Sequence, residues 1–238
     1  MIKKFIKRLL YGYKCSQEAY VGYLRKCGVD VGTHIEIFCP RDTFIDTLNP
    51  HLLKIGNYVS MTGPVTVLTH DYSVCVLKRW TKGEILGKQK KTVIGNNVFL
   101  GWGCCILPGT VIGDNTIIGA YAVVAGKLDG NAVYAGNPAR KLCSIEEYYK
   151  KVKDNQLNEA CDIYREYFKR NRKNPSKELF HEYFYLFEGG DYDKLPQLFK
   201  DKFMDHGNAD ETKKFFSQHN PLFSSFEEFE RNARKRMG

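Results

Sequence analysis

Residues 94–129 read IGNNVF LGWGCC ILPGTV IGDNTI IGAYAV VAGKLD, six hexamers that each open on an aliphatic residue: Ile94, Leu100, Ile106, Ile112, Ile118 and Val124. A period of six matches neither the turn of an amphipathic helix nor the alternation of a hairpin sheet. Each hexamer is therefore read as one short strand and turn of a repeating coil, three of them closing one triangular turn. Each aliphatic side chain then points inward and stacks on its counterpart eighteen residues later, Ile94 on Ile112 and Leu100 on Ile118. The residues four positions on (Val98, Cys104, Thr110, Thr116, Ala122) leave room at the corners, where Asn96-Asn97 and Asp114-Asn115 tolerate a bent backbone. Backbone groups pair between successive coils as in a parallel ladder.

The same beat runs less regularly through Val31-Gly32, Ile37, Ile55-Gly56, Met61 and Val67. Two excursions interrupt it, at 39–52 and at 70–93, the second rich in Lys and leaving the coil where His70 stands. Long loops that depart from a rigid solenoid carry function more often than stability. Ahead of the coil, residues 1–28 are expected to be helical. Within 1–14, Ile2, Phe5, Ile6, Leu9, Leu10 and Tyr13 share one helical face while Lys3, Lys4, Lys7, Arg8 and Lys14 occupy the others. Such a basic amphipathic helix either packs on protein or lies peripherally on an anionic membrane surface, and both readings stay open here. From Ser144 the hexads stop, and residues 144–238 read as a C-terminal α-helical region. Ile145, Tyr148, Val152, Leu157, Cys161, Tyr164 and Phe168 lie on one side, aromatics are dense at 180–187, and Gly189-Gly190, Pro196 and Pro221 supply breaks. This region is expected to cover an open end of the coil. The fold class expected is mainly β: a parallel β-helix over 29–143 with a helical segment on either side.

Composition sets bounds without choosing a function. The 238 residues are 43% hydrophobic, enough for one sizeable core with an appendage. No apolar run of about 18 residues exists, and MIKKFIKRLL has neither a continuous apolar stretch nor a small-residue cleavage site, so neither secretion nor membrane spanning is expected. Eight cysteines show no Cys-x-x-Cys pair and no clustering with histidines, which reads as reduced thiols of a cytoplasmic protein with no metal site. The balance of 36 basic against 27 acidic residues, a net charge of +9, suits nucleic acid, an anionic membrane or a polyphosphate ligand. No nucleic-acid motif accompanies that charge, so nucleic acid is not expected as a partner.

The hexamers, the segment IGNYVSMTGPVTVLTHDYS at 55–73 and the closing AGNPARKL at 135–142 resemble the hexapeptide-repeat acyltransferases. The similarity is greatest to the branch holding galactoside, maltose, antibiotic and polysaccharide O-acetyltransferases, and it spans about residues 29 to 143. The resemblance implies a left-handed coil, an exception to the usual right-handed crossover. It also implies a homotrimer that binds acetyl-CoA between neighbouring subunits. His70, in Leu-Thr-His-Asp, matches the family's catalytic histidine, with the role of general base. A sugar hydroxyl is a poor nucleophile at neutral pH, and an imidazole, whose ordinary pKa is about 6.5, can take its proton as it attacks the thioester. Asp46, in Phe-Ile-Asp-Thr, stands near where relatives place an Asn or Asp facing that histidine, either to orient the ring or to bind the acceptor. Asp71 is a similar candidate.

For acetyl-CoA the resemblance points to Trp102 and Gly103, then Ala120 and Tyr121 one coil later, then Ala125 and Gly126. Arg140 and Lys141 match a basic pair able to contact phosphates. Phe99 replaces a Trp common among relatives, Trp102 stands where a small polar residue is usual, and Ala125-Gly126 replaces a Thr-Lys or Ser-Lys, with Lys127 adjacent. The function implied is O-acetylation of a saccharide, such as a surface polysaccharide or its precursor. Rival readings are N-acetylation of an amino sugar, a γ-type carbonic anhydrase, and a non-enzymatic polyanion-binding scaffold. The anhydrase needs three imidazoles on one zinc, and His34, His51 and His70 are unsuitably spaced.

Overall fold

The computed structural model describes residues 2–236, with side-chain surroundings from residue 6 onward. It divides within helix Ile145–Asn171 into a unit spanning Met1–Tyr148 and a unit spanning Tyr149–Gly238.

The first unit is built on three parallel sheets visited in rotation. One face carries Asp30–Val31, Leu53–Ile55, Thr92–Ile94, Val111–Ile112 and Lys127–Leu128. A second carries Ile35–Ile37, Val59–Met61, Val98–Leu100, Thr116–Ile118 and Ala132–Ala135, to which Arg140–Ser144 adds antiparallel. The third carries Phe44–Ile45, Thr66–Val67, Cys105–Ile106 and Val123–Val124. Register places aliphatic residues in columns: Val31, Ile55, Ile94, Ile112 and Leu128 on the first face; Ile37, Met61, Leu100, Ile118 and Tyr134 on the second; Ile45, Val67, Ile106 and Val124 on the third. Nearly all of these are buried and form one hydrophobic cluster. Branched side chains stacked at strand spacing fill the interior, and that packing stabilises the coil.

Corners follow local chemistry. Between the first and second faces, Asn97, Asn115 and Asn131 adopt φ near +54°, a conformation Asn tolerates better than most residues. Their amides form a ladder, Asn97 Nδ2 donating to Asn115 Oδ1 and Asn115 Nδ2 to Asn131 Oδ1, both at 2.8 Å. The open end at the first rung is covered by helix Gln17–Cys27, whose Tyr20, Val21 and Leu24 join the coil's core. Ser16 caps that helix at its start, and Gly28 ends it at φ +99°.

Three details differ from the hexad reading. Leu128, not residue 130, continues the column from Ile112, because the corner at Ala125-Gly126 is two residues shorter than the one at Leu107–Thr110. Gly126, at φ +79°, allows the tighter turn. The stretch 39–52 is not one excursion: Phe44–Ile45 within it is a strand of the third face, and the chain leaves the coil only after Ile45. The longer excursion returns before 93, since Thr92 already pairs with Leu53. Its stems zip together beside His70: Asp71 N donates to Lys88 O, and Lys90 N to Thr69 O.

Ile112 is 1% exposed in the middle of its column. Ile112→Ala is expected to lower unfolding free energy by about 2–5 kcal/mol. Lys127→Ala, on the exposed side of the neighbouring strand, should stay within about 0.5 kcal/mol in the same urea titration.

Among the described residues no helix is long and apolar enough to cross a membrane. Ile6, Leu9, Leu10 and Tyr13 of the amphipathic segment are exposed, while the side chains of Ile2, Lys3, Lys4 and Phe5 lie outside the described residues. The second unit is helical, with Gln197–Asp201, Ala209–Ser217 and Phe226–Lys235 following the long helix. It has its own core, in which Phe180, Phe184, Phe199, Phe203 and Phe229 surround Ala160, Cys161 and Tyr164. Of the residues on the shared side of the long helix, Cys161 and Tyr164 are buried while Tyr148 and Val152 are exposed.

Candidate functional site

Asp46 and His70 follow equivalent strands of the third face on successive rungs, Phe44–Ile45 and Thr66–Val67, so they leave the coil at the same edge one rung apart. Asp46 N donates to Val67 O at 2.9 Å, which holds the two segments together there. His70 Nδ1 stands 2.5 Å from Asp46 Oδ2. The same oxygen accepts from the Thr69 amide at 3.0 Å and the Thr69 hydroxyl at 2.5 Å, and Oδ1 accepts from the Leu48 amide at 2.9 Å.

Asp46 is 1% exposed. Burial alone pushes its carboxyl up, but the donors from Thr69, Leu48 and His70 outweigh that and hold it below the ordinary carboxylate value. A carboxylate so placed accepts a hydrogen bond from Nδ1–H of the imidazole, which fixes that tautomer and leaves Nε2 with its lone pair available. The Tyr72 ring stands edge-on to His70 at 4.8 Å between centroids.

His70 opens onto a pocket of about 500 Å³, whose polar rim is Asp71, Tyr72, Lys88 and Lys90 and whose apolar floor includes Leu107, Pro108 and Ala125. Asp71 shares this pocket but turns away from the imidazole. Its carboxylate accepts from Lys88 Nζ at 2.6 Å and from the Ser73 amide at 2.8 Å, and the lysine contact, with the serine, brings its pKa down to about 2. Facing the ring therefore falls to Asp46, not Asp71.

Sequence reasoning passed over Thr69, Lys88 and Lys90. The alternation of buried Val65, Val67 and Thr69 was the available sign that the threonine hydroxyl points inward beside Asp46. For the two lysines no local signal existed, since the stem pairing that brings them to the pocket joins residues about twenty apart.

The positions matched to acetyl-CoA fall on more than one edge of the coil. Trp102 and Gly103 connect the second face to the third, and Ala120 and Tyr121 lie on that same edge one rung later, where Tyr121 N donates to Trp102 O at 2.7 Å. A Cβ on Gly103 would meet the Tyr121 ring at 2.5 Å and one on Gly63 would meet the Trp102 ring at 2.4 Å, so each aromatic lies directly over a glycine. Both rings remain substantially exposed. Ala125 and Gly126 belong instead to the His70 edge, between the third and first faces. Arg140 and Lys141 begin the antiparallel strand that closes the second face, with both side chains exposed. Within one chain, then, the expected set is split between edges. Among the described residues, no three His, Cys, Asp or Glu side chains group as metal ligands.

The family described as "Bacterial transferase hexapeptide (six repeats)" matches residues 91–126. Protein CapG of Staphylococcus aureus is 37% identical over 159 residues, which cover 63% of this chain and 90% of that protein. Galactoside O-acetyltransferase of Escherichia coli (strain K12) is 42% identical over 65 residues, 25% of this chain and 32% of that enzyme. Among solved structures, a maltose O-acetyltransferase from Clostridium difficile 630 superposes with a TM-score of 0.40 at 25% identity, covering 59% of this chain and 83% of that one.

Proposed function

The chain belongs to the hexapeptide-repeat acetyltransferases, and from that membership we propose that it transfers the acetyl group of acetyl-CoA to a hydroxyl of a saccharide with His70 as general base. The observation that carries this reading is the His70–Asp46 pair at 2.5 Å, opening on a pocket beside Ala125. Asp46 stays ionised, holds the imidazole by Nδ1 and aims Nε2 outward. Nε2 takes the proton of the acceptor hydroxyl as its oxygen attacks the thioester carbonyl. Collapse of the tetrahedral intermediate breaks the C–S bond, and the departing thiolate recovers the proton from the imidazolium. Asp46 stabilises that cation while it exists, without itself becoming protonated.

We assign the thioester end of acetyl-CoA to Ala125-Gly126, on the edge that carries His70. At Gly126 no atom stands within 4 Å of where a Cβ would be, which leaves room for an extended pantetheine arm. The column of Trp102, Gly103, Ala120 and Tyr121 lies on a different edge, so a site that uses both columns draws them from two copies of the chain. This supports sites between subunits, and the family resemblance adds the homotrimer and the left hand of the coil; Arg140 and Lys141 then offer cations to the phosphates. A diffraction map of the rungs reads the hand directly.

The test is turnover of acetyl-CoA against matched hydroxyl and amino sugars, with the mass of the particle measured by light scattering. O-acetylated product and a mass of three chains are expected. Transfer to amines alone would make the protein an N-acetyltransferase, and full activity from a single chain would remove the intersubunit site.

A further inference from the structure

The two lysines that line the His70 pocket differ in their pairing. Asp46 faces the imidazole from beneath, and Asp71 is held by Lys88 at 2.6 Å. Lys90 also lines the pocket, and among the described residues no carboxylate stands within ion-pairing distance of its ammonium. Its position is determined at both ends of the visible stem. The Lys90 amide donates to Thr69 O at 2.9 Å, one residue from His70. Its side chain runs so close over Gly109 that a Cβ there would meet Lys90 Cδ at 2.8 Å and Cβ at 3.2 Å. Gly109 sits at φ +86°, so the residue that makes room for the lysine is also the one its backbone conformation favours. The surrounding loop strengthens the sign: between 71 and 91 it carries Lys78, Arg79, Lys82, Lys88, Lys90 and Lys91 against Asp71 and Glu84.

We propose that Lys90 is a specificity-determining residue that selects an anionic saccharide, one bearing a carboxylate or a phosphate, as the acceptor. The inference rests on the saccharide reading above and names the class of sugar. An acceptor hydroxyl delivered to His70 Nε2 places the rest of the sugar in the pocket that Lys90 lines. A charge-assisted hydrogen bond from Lys90 to an anionic substituent holds it there, and a neutral sugar forgoes that bond.

The experiment compares kcat/KM for methyl glucuronide, glucose 6-phosphate and methyl glucoside in the parent and in Lys90→Gln and Lys90→Arg. The parent is expected to favour at least one anionic sugar over the neutral one. The anionic-to-neutral ratio should fall about tenfold in Lys90→Gln and recover in Lys90→Arg. Added salt should erode the parent's preference in the same direction. The glucuronide and phosphate arms tell which anion is read. A parent that does not discriminate overturns the proposal, as does a Lys90→Gln variant whose loss falls on the KM for acetyl-CoA with the sugar ratio unchanged, which would make Lys90 a donor contact. Absence of transfer to every sugar would instead sink the saccharide reading, and this inference with it.

Discussion

Replacing His70 with alanine is expected to lower kcat for acetyl transfer by about 10²- to 10⁴-fold, the range that a positioned general base contributes. The effect should appear in chemistry alone. His70 lies at the mouth of the loop with its side chain 17% exposed, outside the stacked columns, so its truncation opens no cavity in the coil. Acetyl-CoA binding by calorimetry and the thermal midpoint should therefore stay close to the parent while single-turnover transfer collapses. Free imidazole in the buffer should restore part of the rate, because the space left by the ring opens directly onto the pocket. Parent-level activity in this variant would take His70 out of the mechanism.

The second large effect is expected from Asp46→Asn, a fall in kcat of about 10²-fold together with a measurable loss of stability. Asp46 receives four donors: the Thr69 amide, the Thr69 hydroxyl, the His70 ring and the Leu48 amide. An asparagine has one oxygen and one donor group. If its oxygen faces Thr69 and His70, its NH₂ meets the Leu48 amide; if it flips, the NH₂ meets three donors. Either way a buried donor is left unsatisfied, which costs about 1–3 kcal/mol. The imidazole meanwhile loses the anion that selects its tautomer and stabilises its charged form.

The sign of the pH effect follows. The folded carboxyl titrates below its ordinary value of 3.8. Its contribution to folding is then complete above that value and lost as pH falls through the depressed one. Asp46→Asn should therefore be less stable than the parent at neutral pH, with the gap narrowing only in strong acid. An equal gap at pH 7 and pH 2, read by urea denaturation, would contradict the ionised role.

These two residues show how far the chain could be read in advance. His70 was legible through its match to the catalytic histidine of the family that the repeats resemble, at the point where the hexad phase breaks. Asp46 was legible through the same resemblance as a residue facing that histidine, to orient its ring or to bind the acceptor, and Asp71, adjacent in sequence to the histidine, was a similar candidate. The difference between them is a matter of rungs: Asp46 lies one rung from His70 on the same edge, whereas Asp71 steps out with the loop and meets Lys88 on the returning stem. Sequence proximity is a poor guide in a coil, because neighbours in space recur at the coil's own period.

The hexad period pointed to the coil, its three faces and the aliphatic columns from Ile94 to Val124, because an inward residue every sixth position has no other way to be buried. It could not say where the rungs slip. Only the tertiary structure placed Leu128 in the column, assigned Phe44–Ile45 to the third face, and brought Thr69, Lys88 and Lys90 to the histidine. Those outcomes depend on which corners shorten and which loop stems pair, interactions between residues far apart in the chain whose balance no local pattern records.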